Sequence, residues 1–100
     1  MTIHLVGDFT IREVYLNGEF LSPKRSLKVR NHSPDGFNWG YGGSGPAQLA
    51  LAICLELFNS SENYQDFKFN IIAALPRRDI DATIEFDEKT FKLIKLVNNE

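Results

Sequence analysis

The chain has 100 residues, 43% of them hydrophobic and 24% charged. That describes a single core, since chains divide into separate domains only beyond roughly 250 residues. Its 11 basic and 13 acidic side chains leave a net charge of −2, a balance that argues against a protein living on nucleic-acid phosphates. A core of this size has no room for both a large cofactor and a substrate cavity, so any ligand belongs on a surface cleft or an oligomer seam.

Residues 2–6 and 9–16 are rich in β-branched and aromatic side chains and are interrupted by Gly7 and Asp8, the pattern of two short strands. Asn17 and Gly18 tolerate the positive φ of a two-residue primed turn, which predicts that residues 14–16 pair with residues 19–21. Pro23 ends that arm. Residues 26–30 alternate, with Leu27 and Val29 on one face and Lys28 and Arg30 on the other, which reads as a strand with a basic outer face.

Residues 31–45 hold five of the seven glycines, a loop long enough to suggest a functional or ligand-shaping segment. Pro46 then suits the first position of a helix, with Gly45 as its cap. The spacing predicts a helix over 46–58 that is apolar nearly all round, with only the Gln48, Ala52 and Glu56 line suited to solvent. Asn59 and Glu62 resemble a capping box for a second helix through Tyr64, Phe67, Ile71 and Leu75, stopped by Pro76. Phe67, Phe69 and Ile71 also alternate as a strand does, and the pattern alone leaves both open.

Ile80, Ala82, Ile84 and Phe86 form the buried face of a strand. Asp87 is expected to cap a last amphipathic helix, with Phe91, Ile94 and Val97 inward and Lys89, Lys92 and Lys95 outward. Together these elements predict one α+β domain over 1–100. A small antiparallel sheet of mainly N-terminal strands packs on a buried central helix, with two further helices beside it.

The loop opens directly into that central helix, whose first turn offers unpaired N–H groups and about half a positive charge. Trp39, Gly40, Tyr41, Gly42, Gly43, Ser44, Gly45 and Gln48 are therefore the candidate contacts for an anionic, nucleotide-like ligand. Phe37, Trp39 and Tyr41 alternate and can share one face as a stacking platform. Residues 31–60 contain no Lys or Arg, so the expected cationic help comes from Lys24, Arg25, Lys28 and Arg30. His32 bridges that basic patch and the loop. The structural alternative is that the glycines let Phe37, Trp39 and Tyr41 fold back as a lid over the helix.

Several chemistries are excluded or disfavoured. Gly40, Gly42 and Gly45 match a dinucleotide fingerprint formally, but no strand leads into them within a βαβ unit. Pro46 and Ala47 follow Gly45 where a phosphate-binding Walker loop needs Lys and Ser or Thr. Ser44 fails the nucleophile-elbow pattern because Pro46 stands where the second glycine belongs. A hydrolase built on His32, with Asp35 and Ser44, is the least favoured reading. His4 and His32 are the only histidines, and no Cys or carboxylate cluster has metal-ligand spacing, so neither metal nor cofactor is expected.

The run HSPDGFNWGYGGSGPAQLALAI, from His32 to Ile53, resembles the signature of a family of small uncharacterised proteins of bacteria, archaea and their phages. The likeness continues through Tyr64, Gln65, Asp66, Phe67 and Lys68 to Leu75 and Pro76. It implies a helix ended by that proline and marks Trp39 to Gln48 as the characteristic stretch. It carries over no catalytic residue, and by analogy it implies a phage or mobile-element accessory or host-interaction protein.

The sequence thus favours a non-enzymatic binding module for a small anionic ligand. The alternative is an interaction or inhibitor module whose aromatic loop meets a host protein or a second copy. Nucleic acid is not an expected partner. The single Cys54, the lack of a signal peptide at the start and the short apolar run of residues 49–55 point to the cytoplasm, that of the host if phage-encoded, with no membrane span.

Overall fold

A computed structural model describes residues 1–99. Five strands form one antiparallel sheet in the order β3-β2-β1-β4-β5. They are β1 (Thr2–Gly7), β2 (Val14–Leu16), β3 (Glu19–Phe20), β4 (Ile80–Phe86) and β5 (Leu93–Asn98). The helices are α1 (Lys24–Val29), α2 (Ser44–Phe58) and α3 (Tyr64–Asn70), the last followed by a single 3-10 turn at Ile72–Ala74. The α+β class and the buried central helix read from the sequence are both present.

Alternation decides which face of the sheet is covered. Ile3, Leu5, Val14, Leu16, Ile80, Ala82, Ile84 and Phe86 are buried against the helices, while Thr2, His4, Tyr15, Thr83 and Glu85 face outward. The central pairing sets Ile3 opposite Ile84 and Leu5 opposite Ala82, so a one-residue slip would expose both apolar rows. Asn17 and Gly18 take the left-handed φ values of 51° and 83° and make the expected tight hairpin, with Leu16 opposite Glu19.

On α2, residues 45–55 are all buried, so the helix is wrapped on every side along most of its length. Gln48 and Ala52 do not face solvent as expected; only Glu56 does. The covering element is α1, where the sequence suggested a strand. Pro23, at φ −74°, sits in the helical region, and its carbonyl accepts the Leu27 N–H at 2.9 Å. The alternation of Leu27 and Val29 carried no burial information: Val29 is exposed, and Ser26 is the residue that packs against α2.

Two further expectations are corrected. Asn59 does not open the next helix but closes α2 as a left-handed cap, and Asn63 stands at the start of α3 with no side-chain cap bond. Residues 64–74 are helical rather than extended, but the helix breaks at Ile71, where φ and ψ are −121° and −59°. After β4, no helix follows among the described residues. The Asp87 carboxylate does cap, accepting the Lys89 and Thr90 amides at 2.8 and 3.0 Å, but what it caps is a tight turn. That turn feeds β5 back along β4 with Glu85 opposite Lys95. Phe91 is buried beside Phe67 and Phe86, whereas Ile94 and Val97, expected in the core, are exposed.

No helix among the described residues is long and apolar enough to cross a membrane. Cys54 lies within the wrapped part of α2 at 1% exposure, and burial pushes its thiol up to about 12. The native protein is therefore expected to resist an aromatic disulfide reagent at about pH 8 and to react once unfolded in guanidinium, because the thiolate is the nucleophile. Rapid labelling of the native state would contradict this packing.

Candidate functional site

The loop before α2 is fixed by three sets of polar bonds. The Gln48 carboxamide, fully buried, accepts the His32 and Ser33 amides at 2.8 and 3.2 Å and donates to Ser26 Oγ and the Arg30 carbonyl at 2.9 and 3.1 Å. The Trp39 indole N–H donates to the Arg78 carbonyl at 2.9 Å. The Gly40 amide donates to the Ile72 carbonyl at 3.0 Å.

These bonds close Phe37 and Trp39 into the core, at 3% and 0% exposure. Trp39 lies edge-on to Phe9 with ring centres 5.4 Å apart, over Gly7 of β1, where any Cβ would stand 2.7 Å from Trp39 Cη2. Gly40 has φ +86°, and a Cβ there would meet Arg77 Cγ and the Leu75 carbonyl. Both glycines serve packing.

Several expected site residues are thereby withdrawn from ligand contact. Trp39 offers no stacking face and Gln48 has both its amide atoms committed. Arg30 is not among them: its carbonyl is tied to Gln48, but its side chain is exposed. His32 Nε2 lies 2.6 Å from Tyr64 Oη and is bonded to neither Asp35 nor Ser44, so no hydrolytic triad is assembled. Of the basic patch, Arg25 runs to the far end of α2, where it bonds the Leu55 carbonyl and the Asn59 side chain and pairs with Glu56 at 3.7 Å. Among the described residues, no three His, Cys, Asp or Glu side chains gather as a metal site.

What stays open is the arc of residues 41–44. Gly42 and Ser44 are exposed, and Tyr41 and Gly43 are half-buried. Among the described residues no side chain caps α2. Among the described residues no acceptor takes the Ser44 or Gly45 amide, the first bond of the helix being Ala47 N–H to the Gly43 carbonyl at 3.0 Å.

The charges beside this arc come from residues that the sequence reading passed over. The Arg77 guanidinium lies 5.0 Å from the Tyr41 ring centre, and Lys68 Nζ lies 3.9 Å from that of Phe69. Phe69 is 61% exposed and borders Gly42, where an added Cβ would stand 3.2 Å from its ring. Neither cation has a carboxylate within 4.0 Å among the described residues. They lie 24 or more positions along the chain from Ser44, and only the folding of α3 and its exit turn against α2 brings them near. No local motif announces them.

Burial, and then the charges of Arg30 and Lys68, hold His32 below its ordinary 6.5. Residues 6–90 match DUF6166, a family of unknown function, and the chain belongs to that family. The match takes in the loop, α2 and the Arg77 turn. No curated protein and no solved structure shows a significant match.

The depressed His32 couples folding to pH. As pH falls below 6.5, the unfolded chain binds the proton first, so this stabilisation is complete above that value and is lost on descent through the folded pKa. An NMR titration is expected to place the His32 midpoint below 6.5, and Lys68→Met to move it upward. A wild-type midpoint at or above the ordinary value would contradict the arrangement.

Proposed function

We propose that the protein is a non-enzymatic binding module that holds a small anionic, nucleotide-like ligand on the open arc at the start of α2. The observation that carries this reading is the pair of flanking cations. Arg77 and Lys68 are each parked over an aromatic ring that borders the arc, with no carboxylate within 4.0 Å among the described residues, beside amides that have no internal acceptor among those residues. An anion there gains charge-assisted hydrogen bonds, worth about 1.5–3 kcal/mol each, and the favourable end of a 15-residue helix. Tyr41 and the exposed Phe69 ring replace the buried Trp39 as the surface against which a base or ring can lean.

No histidine or carboxylate hydrogen-bonds Ser44 among the described residues, and the Cys54 thiol is sealed, so the arc binds without an activated nucleophile. An interaction surface made from the aromatic loop is the weaker reading, because Phe37 and Trp39 are spent on the core.

A titration with a nucleoside monophosphate, followed by the amide resonances of Gly42, Gly43 and Ser44, is expected to give a saturable shift. Lys68→Met, which keeps the buried stem, is expected to weaken binding about fivefold, equivalent to about 1 kcal/mol. Still amides at ligand concentrations well above millimolar, or unchanged affinity in Lys68→Met, would remove this assignment.

A further inference from the structure

A second concavity lies beyond Arg77. Phe9, Thr10, Arg77, Arg78 and Asp79 line an open cleft of about 510 Å³, within the range of small-molecule sites. Its two walls are built by main-chain capture. The Asp8 carboxylate accepts the Thr10 and Ile11 amides at 2.9 and 3.2 Å, which turns the chain after β1. The Asp79 carboxylate accepts the Phe9 amide at 2.8 Å and ties that turn to residues 77–79. The Trp39 indole clamps the same segment from behind through the Arg78 carbonyl.

Both acids each spend one oxygen on main-chain N–H groups, and neither comes within 4.0 Å of a guanidinium. Arg12 lies with its guanidinium 5.3 Å from the Phe9 ring centre and its Nε bonded to the Phe9 carbonyl at 3.0 Å. Two of the five arginines of a chain with net charge −2, Arg77 and Arg78, thus line one concavity without a carboxylate within 4.0 Å among the described residues, and Arg12 lies behind its Phe9 wall. The Asp79 carboxylate in the same lining offsets one of these two charges, and the repulsion that remains favours an anion between the guanidinium groups. Guanidinium forks match the oxygens of a phosphate better than a point charge does, the Thr10 hydroxyl adds a donor, and the half-buried Phe9 ring offers an apolar wall.

The geometry points to a phosphate-monoester site in this cleft, taking a dianionic phosphate carried on a small aryl or nucleoside body. It stands apart from the arc at α2, with Arg77 between the two, and it does not depend on that arc being occupied.

The test uses phenyl phosphate, uridine 5′-monophosphate, benzoate and phenol on the full chain. The readouts are the resonances of the Thr10 amide and of the indole N–H of Trp39, the only tryptophan. Phenyl phosphate, the nucleotide or both are expected to shift the two signals saturably, and whichever binds identifies the carrier. Benzoate should bind at least tenfold more weakly and phenol not at all. Arg78→Gln, a change at an exposed side chain, is expected to weaken binding about tenfold, and Lys68→Met, an arc variant, to leave it unchanged. Silence of the two signals with phenyl phosphate and with the nucleotide alike, equal affinity for benzoate, or full binding by Arg78→Gln would overturn the site. Shifts confined to Gly42, Gly43 and Ser44 would also overturn it while leaving the arc assignment standing.

Discussion

One neutral carboxamide inside an apolar helix governs how the first half of the chain is arranged. Gln48 is fully enclosed, and a buried amide without partners costs several kcal/mol in an apolar setting. Its four bonds go to Ser26, Arg30, His32 and Ser33, which draws α1 and the start of the loop onto α2 together. A leucine in its place would fill the space but leave two main-chain amides and a carbonyl unpaired. Those lost bonds, rather than lost apolar area, are the reason this position matters.

The same closure sets what the loop can offer to another molecule. Once the chain is pinned at residues 32–33 and again at Gly40, Phe37 and Trp39 have only the core to enter, and the glycines give room for the rings and side chains that pack against them. The exposed remainder is short: the arc at the mouth of α2 and the arginine cleft on the other side of Arg77. Both carry more cationic than acidic side chains on a chain of net charge −2, and they share Arg77, held over the Tyr41 ring, an arrangement that fixes a long side chain without neutralising it.

The fold was legible where a local rule had no competitor. The Asn17 and Gly18 turn demands positive φ, β4 alternates over seven residues, and Pro46 with the apolar run after it marks the buried helix, although that helix starts two residues before Pro46, at Ser44, with Gly43 rather than Gly45 as its cap. It was illegible where two patterns fitted the same letters. Leu27 and Val29 alternate over too few residues to outweigh a helix beginning at Pro23. Lys89, Lys92 and Lys95 have helical spacing, yet the open edge of β4 offers that segment a full ladder of hydrogen bonds. The site was harder to read than the fold. A polar residue on an apolar helix reads as exposed unless its partners are known, so the pattern turns Gln48 toward solvent and Ala52, on the same line of the helix, with it. Lys68, Phe69 and Arg77 reach the arc only through tertiary packing, and no spacing rule could have gathered them.

Hydrogen exchange on Gln48→Leu, read beside its denaturant stability, tests this account most directly. The expected result is a loss of about 3 kcal/mol with the His32 and Ser33 amides exchanging freely while the β1 and β4 amides stay protected. Unchanged stability with both amides still protected would show that the loop is held by something else, and the arrangement of the arc would then need another cause.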